Sequence, residues 1–396
     1  MEKTGGMNNQ NLKYRNRGLL LKLICTHEGL SRVHLAQDTG LTKMAVTNII
    51  AELIEQGYVV ESTPSRNTGV GRNPITLEIA PDAPKVLGIQ ISREGCTAVL
   101  FDLKLRIQMK RFIPFLQEDR ASIQDKLFWM VDQISEREPN ILGCGVSVVG
   151  PLDVEDGVVL NPPNFFGVSN WPLRKILSEH TGLEVFLNND MNCAALGEKM
   201  FGAGRDFHNF LYVGLSVGIG SGIIENDGLY QNSSGFAGEL GHTSIDCEGL
   251  PCGCGNRGCL EEYIGMPIVL GRLRAVTGWD CSFPQFCDRA GDPRVDAVLT
   301  DMLGKLAHAL VNAVNLLNPQ AILIGHNGVY LPERYLVFLE EEINQRKFSQ
   351  EYRKIRVRKS RFGVDSSLYG SGCVLLKHLF ENGKVEQDAY VRVNPL

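Results

Sequence analysis

Apolar positions in the first eighty residues recur at helical spacing. Leu19, Leu20, Leu23 and Ile24 predict a helix over residues 12–25. Ser31 is placed to cap a short helix ending at Thr39, and Gly40-Leu41 makes a turn. Thr42 then caps a longer helix to about Gln56, in which Val46, Ile49, Ile50 and Leu53 form one apolar stripe at i, i+3, i+4, i+7. Gly57 ends that helix. Two short strands follow, over residues 58–60 and 74–79, around a polar loop that carries Arg66, Gly69, Gly71 and Arg72. Helix, tight glycine turn, helix and hairpin are the layout of a winged helix-turn-helix.

Pro81-Asp-Ala-Pro84 breaks the chain and predicts a boundary between residues 1–80 and 81–396. Beyond it, apolar runs predict strands over 85–91, 97–103, 141–149, 184–187, 210–216, 222–225 and 321–324. Helical spacing predicts helices over 121–137, 173–180, 192–201, 267–275 and 294–317. Alternating strands and helices indicate α/β layers. A duplicated two-lobe body is compatible with this pattern.

At 396 residues, with 43% hydrophobic and 21% charged positions, the chain is an ordinary globular mixture, which excludes disorder, collagen and coiled coil as descriptions of the whole. No run of ~18 apolar residues predicts a membrane span. The polar N-terminus lacks a signal-peptide core. A cytoplasmic location is expected. Net charge is −5, which argues against general polyanion binding. Residues 1–80 nonetheless hold nine Lys or Arg against seven acids, so a mildly basic head sits on an acidic body. The apolar stripe of the second long helix turns Lys43, Thr47 and Asn48 away from the core, and those side chains hydrogen-bond phosphates and base edges. Arg66 and Arg72 could reach backbone or minor groove. Together these features favour DNA over a small protein-interaction module.

Eleven cysteines is an odd number, and three of them crowd into eight residues: Cys252, Cys254 and Cys259. With His242 upstream they form a Cys3His set, the composition of a closed, structural tetrahedral zinc site rather than a hydrolytic one. Gly253, Gly255 and Gly258 are expected to let the backbone fold round the ion. Cys247 is a weaker candidate ligand than His242. His242 can bind metal through one ring nitrogen and present the other to a ligand, and Glu239 and Glu261 bracket the same loop. Fixed carboxylates beside an imidazole suit sugar hydroxyls. Asn188-Asn189-Asp190 ends a strand and starts a helix, where open α/β sheets bind ligands. One of the three is expected to cap the helix and two to face a ligand. The glycine-rich run 216–222 is either a phosphate cradle or a tight hairpin.

These residues resemble the ROK family, named for repressors, open reading frames and sugar kinases, and its repressor branch in particular. The resemblance runs through Ser31-Arg32, Thr39-Gly-Leu41 and Gly71-Arg72-x-Pro74 in the head. In the body it runs through Gly157-x3-Asn161-x-Pro-Asn164, Asn189-Asp190, Glu239-x-Gly-His242 and Cys252-x-Cys254-Gly-x2-Gly-Cys259-x-Glu261. It implies an α/β fold: an N-terminal winged helix-turn-helix before a two-lobed, ribonuclease-H-like (actin/hexokinase-type) sugar-binding body with a zinc loop. It implies sugar contacts at Asn189, Asp190, Glu239, His242 and Glu261, with Asp190 at the position of the kinases' catalytic base. It implies zinc held by His242, Cys252, Cys254 and Cys259. The expected DNA-facing set is Ser31, Arg32, Thr42, Lys43, Thr47 and Asn48, with Arg66 and Arg72 on the wing.

Departures from the family's kinases bear on activity. Their Asp-x-Gly-Gly-Thr phosphate turn is replaced by Gln90-Ile-Ser-Arg-Glu94, where a buried arginine or glutamate would block phosphate. Ser216-Val217 stands where Gly-Thr opens their second phosphate loop. A third turn reads Gly325-His-Asn-Gly328. The expectation is therefore a non-catalytic regulator that uses no ATP. It would bind a double-stranded operator as a homodimer or homotetramer and respond to a sugar. Two other readings stay open: an ATP-dependent sugar kinase carrying a DNA-binding head, and a regulator whose effector is a protein such as a phosphocarrier.

Overall fold

The computed structural model describes residues 9–62, 75–230, 236–348 and 350–383. The chain forms two compact units. The first comprises residues 1–148, 156–187 and 371–396, and the second residues 149–155 and 188–370.

In the first unit, α1 (Asn9–Thr26), α2 (Arg32–Thr39) and α3 (Lys43–Glu55) precede a hairpin of β1 (Val59–Ser62) and β2 (Thr76–Ile79). Ser31 caps α2, and Gly40 ends it in the left-handed conformation. Thr42 accepts the Ala45 N–H and caps α3, whose stripe Val46, Ile49, Ile50 and Leu53 is buried. β1 and β2 pair antiparallel from Val59–Ile79 to Ser62–Thr76. Three helices followed by a two-stranded hairpin are the elements that the periodicity predicts. The tip of the hairpin, with Arg66 and Arg72, lies outside the described residues.

The rest of this unit is built on β3 (Lys85–Ile91), β4 (Gly95–Phe101), β5 (Ile107–Pro114), β6 (Ile141–Val148) and a later strand, β9 (Val185–Asn189), in the order β5-β4-β3-β6-β9. β3 and β6 are parallel, while β3–β4 and β4–β5 are antiparallel. β5 was not anticipated. Helix α4 (Arg120–Ser135) buries Ile123, Leu127, Met130, Val131 and Ile134. Between β6 and β9 come β7 (Leu152–Asp153), β8 (Val158–Val159) and α5 (Leu173–Thr181).

The second unit starts with α6 (Asp190–Phe201), β10 (Phe210–Leu215), β11 (Ile219–Glu225) and β12 (Gly228–Leu229). It continues through α7 (Glu261–Ile264), α8 (Met266–Thr277), α9 (Phe283–Asp288), α10 (Pro293–Leu317), β13 (Ala321–His326), α11 (Glu333–Arg346) and β14 (Arg356–Lys359). Its sheet runs β12-β11-β10-β13-β14. On one face α10 contributes Val295, Leu299, Met302, Leu303, Leu306 and Leu310 to a core shared with α8, α11 and the sheet. α10 is long and apolar enough to cross a membrane, but half of its most apolar window is buried in this core. The other face packs Phe210, Tyr212 and Leu323 against Met191, Ala194 and Ala195 of α6.

The last helix, α12 (Ser366–Asn382), begins in the second unit and ends in the first. Its approach to the first sheet depends on glycine. A Cβ on Gly145 would lie 1.9 Å from the Ser371 carbonyl oxygen, and one on Gly88 2.5 Å from the Ser371 hydroxyl.

Candidate functional site

The cysteine-bearing loop is a compact turn system following the short 3-10 segment Leu240–His242. Ile245 N–H donates to Gly258 O (2.8 Å), Gly258 N–H to Leu250 O (2.7 Å) and Cys252 N–H to Asn256 O (2.9 Å). Gly255 and Gly258 have φ of 94° and 68°. A Cβ on Gly258 would also strike Asp246 O at 1.8 Å. Gly253 has neither constraint, since nothing lies within 4 Å of its added Cβ. The expectation that all three glycines are sterically required is corrected to two.

This fold brings His242, Cys252, Cys254 and Cys259 together, with ligand atoms within 4.8 Å of one another. Cys254 Sγ and Cys259 Sγ are 3.7 Å apart, and Cys252 Sγ is 3.7 Å from His242 Nδ1. An ion ~2.3 Å from each sulfur at the centre of a tetrahedron would space the sulfurs about 3.8 Å apart, so the Cys254–Cys259 spacing is compatible with a zinc-sized ion. Cys247 is exposed and is not among these four. Burial pushes the Cys252 thiol up to about 12 and raises Cys259, whereas a hydrogen bond from the Asn256 backbone lowers Cys254.

The carboxylates gather round the same loop. Glu261 Oε1 lies 3.4 Å from His242 Nδ1 and 3.9 Å from Cys252 Sγ. Glu261 therefore faces the same ring nitrogen of His242 that Cys252 approaches. Desolvation raises the Glu239 carboxyl, with His242 pulling it down and Glu261 pushing it up.

Asn189 and Asp190 stand at the start of α6. Asn189 is the N-cap, its side-chain oxygen accepting the Met191 N–H at 2.9 Å, and Asp190 accepts the same N–H. Asn188 is buried, and its oxygen takes the Asn189 N–H and the Asn192 side-chain amide. Of the three residues, Asn188 is thus an internal strut and Asn189 the cap.

Glycines of β11 draw the two halves of the site onto one hairpin. A Cβ on Gly220 or Gly222 would fall 2.5 Å from Met191 Cγ or 2.4 Å from Met191 O. On the loop side, Gly238 O accepts the Ser221 N–H at 3.0 Å, and a Cβ on Gly241 would meet Ile219 O at 2.2 Å. The start of α6 and the loop holding Glu239 and His242 therefore both rest on β11. The run 216–222 is a tight hairpin: Leu215 pairs with Ile219, and the Ser216 N–H donates to Gly218 O at 3.0 Å. In the β3–β4 turn, Glu94 is exposed and Arg93 half-buried, donating to Pro163 O at 3.1 Å. Neither is buried in the turn, which corrects that part of the sequence reading.

On the head, Thr42, Lys43, Met44, Thr47 and Asn48 are exposed along one face of α3. Met44, at 76% exposure, belongs to that face and was missed because apolar residues were assigned to the core. Ser31 stands apart, since its buried hydroxyl accepts the His34 N–H. Arg32 is ion-paired with Glu61 of β1. Both are engaged in holding the head together.

The profile of the ROK family matches residues 86–378. The chain belongs to the ROK family. The xylose repressor of Caldicellulosiruptor bescii is 30% identical over 370 residues, covering 88% of this chain and 92% of that protein. The crystal structure of a ROK-family transcriptional regulator, a homologue of Escherichia coli Mlc, superposes with a TM-score of 0.81 at 25% identity over 96% of this chain and 99% of that one. A ROK hexokinase from Thermus thermophilus aligns with 73% of this chain and 97% of its own, with a TM-score of 0.63 and 28% identity.

Proposed function

We propose that this ROK protein is a sugar-responsive transcriptional repressor of carbohydrate-utilisation genes, acting in the cytoplasm as a homodimer or homotetramer. One observation carries the reading: a single chain joins a winged helix-turn-helix, with Thr42, Lys43, Thr47 and Asn48 exposed on α3, to a carboxylate-lined loop of sugar-site composition. The similarity to repressors along nearly the whole length, head included, supports it.

Asn189, Asp190, Glu239, His242 and Glu261 would hold the sugar. Carboxylates accept from its hydroxyls, and amides both donate and accept. His242, Cys252, Cys254 and Cys259 would hold zinc, which supplies a rigid cross-link and leaves no coordination position for water. Zinc here braces the loop that carries Glu239 and Glu261.

Sugar binding would shift the balance between two states of the body. Helix α12 would carry that shift to the head. Buried Glu198 of α6 accepts the N–H groups of Arg361 and Phe362, both at 3.0 Å, just before α12. The far end of α12 packs against α1 of the head. Paired heads require half-sites about one helical turn, ~34–36 Å, or a multiple of it apart, so a modest displacement weakens both contacts.

The test is an electrophoretic mobility shift with the DNA upstream of the chain's own gene, across a panel of monosaccharides. A sequence-specific shift altered by one sugar is expected, and no specific shift under any condition refutes the reading. The kinase alternative is disfavoured by the absence of the phosphate-turn carboxylate and glycines at Gln90–Glu94. It predicts sugar-dependent ADP release, which a coupled assay reads directly.

A further inference from the structure

β14 is an edge strand, last in the order β12-β11-β10-β13-β14. Residues 353–361 read Arg-Lys-Ile-Arg-Val-Arg-Lys-Ser-Arg, six cations in nine positions with no acid. Arg353, Lys354, Arg356, Arg358 and Arg361 are exposed, while Ile355 and Val357 point into the core. The alternation thus turns Ile355 and Val357 inward and Arg356 and Arg358 outward, while Lys359, on the inward parity, is half-buried, so five of the six cations are exposed. Arg356 and Arg358 share one face, ~6.6 Å apart along the strand.

Neighbouring elements hold parts of this row in place. The Arg358 guanidinium lies over the Phe207 ring at 5.2 Å, and Arg361 donates to Phe201 O at the end of α6 (3.1 Å). Glu340 is the acid that faces the strand, 3.7 Å from Arg356. Arg353 and Lys354 make no hydrogen bond or ion pair among the described residues. Beside them the Tyr352 ring is 90% exposed.

Cations on an edge strand can serve merely to block pairing with other chains. Here Glu340 already takes the Val357 N–H on that strand (2.8 Å), and blocking needs far fewer charges than six. The cations are also spread along an edge rather than converging on a pocket, which fits an extended anion better than a small one. They stand out against a body that is otherwise acidic.

We propose that the basic edge formed by β14 and the residues leading into it is a second, sequence-independent contact for the phosphate backbone of double-stranded DNA. This rests on the regulator reading and extends it. The head has a surplus of only two positive charges, so a body contact would supply electrostatic affinity that the head lacks.

The experiment measures full-length protein binding to a fluorescein-labelled duplex of the gene's upstream region between 50 and 300 mM potassium chloride. The variant R353Q/K354Q is compared with wild type and with K175Q/R137Q, an equal charge change at exposed sites elsewhere. Each phosphate contact contributes about 0.9 to the slope of log K against log salt. The expected result is a slope lower by about 2 in R353Q/K354Q, unchanged in the control, with identical melting temperatures. A second variant, R356Q/R358Q, should lower the slope again. An unchanged slope in both edge variants, with wild type still binding, overturns this proposal and leaves the regulator reading intact. Failure of wild type to bind any duplex overturns both. Loss of binding to phosphatidylserine vesicles without a change in the DNA slope would assign the edge to a lipid surface and overturn it too.

Discussion

Arg17 and Gly383 lie 366 residues apart in the chain and meet in the first unit, the buried guanidinium donating from Nε to the Gly383 carbonyl at 2.7 Å. The contact joins α1 to the end of α12. Two glycines make it sterically possible. A Cβ on Gly18 would lie 2.0 Å from Phe380 O, and one on Gly383, whose φ is +57°, 1.7 Å from Tyr14 O. Lys13, one turn from Arg17 on the same face of α1, pairs with Glu52 of α3 at 2.6 Å, and Arg17 itself comes within 3.9 Å of that carboxylate, so the junction continues to α3.

Gly18→Ala should therefore push α1 off α12. Overpacking of this kind costs about 1–3 kcal/mol, measurable by urea unfolding of the full chain. Arg17→Met should destabilise by a similar ~1–3 kcal/mol, because it leaves a buried carbonyl without its donor. If α12 carries the sugar signal, the folded fraction of either variant should bind DNA with a reduced response to sugar. Unaltered stability in Gly18→Ala would show that the close approach is not maintained in solution.

Purified protein should carry one zinc per chain, and Cys259→Ser should lose it. Because the site's binding free energy is also folding free energy, chelation should lower the melting temperature of the second unit by several degrees. Elemental analysis with and without chelator, paired with thermal unfolding, checks both. Full stability with no metal bound would remove zinc from the account.

Much of the head was legible because one physical rule governs it: the stripe Val46, Ile49, Ile50 and Leu53 recurs at the helical period, and it is buried. Where tertiary contacts intervene, the rule loses reach. Arg32 reads as a free cation until Glu61, on a separate strand, is placed beside it. Gly220 reads as loop, yet it lies in β11, because the missing Cβ makes room for Met191 rather than for a turn. β5 and β14 escaped notice because their apolar alternation is broken: Arg111 and Lys359 fall on the more buried rows, and Phe112 is exposed. The metal set was the most readable part of the site, since its chelating spacing is local. That Glu261 faces the Nδ1 side of His242 depends on how α7 enters.

Lys43 and Asn48 should separate two kinds of DNA contact. Both are exposed on α3, so their removal leaves the core intact. Lys43→Ala should weaken binding uniformly across sequences and lower the salt slope by about 1. Asn48→Ala should cost about 1–3 kcal/mol on the operator and little on random DNA. Titrations on both duplexes at two salt concentrations distinguish these outcomes, and equal effects of the two substitutions would place α3 outside the major groove.

Glu118 makes acid stability of the first unit testable. Hydrogen bonds from Lys126, Ser122 and the Leu116 backbone hold its carboxyl down at about 2. A depressed carboxyl stabilises the fold above its unfolded value of ~4.5, and that contribution fades as pH falls towards about 2. Glu118→Gln should therefore lower the melting temperature at pH 7, and the gap from wild type should narrow below pH ~4.5. A gap that stays constant down to pH 2.5 would mean that the carboxylate is not what these donors stabilise.

Asp190 lies in the first turn of α6 and Glu239 in the loop leading to His242, and both of those segments pack on β11. Their roles should be separable from zinc and from DNA. Asp190 sits where the positive end of α6 favours its charge, so Asp190→Asn keeps the helix start and removes only the charged acceptor. Glu239→Gln likewise keeps shape while removing an acceptor from a partly desolvated position. Each should weaken the sugar that alters DNA binding by at least about 10-fold, the loss of one charge-assisted hydrogen bond of ~1.5 kcal/mol or more. Zinc content and sugar-free operator affinity should stay at wild-type values. If the effector were instead a protein, neither substitution would change the response to sugar, because there would be none to change. If the chain were a kinase, Asp190→Asn would abolish an ADP release that wild type should never have displayed.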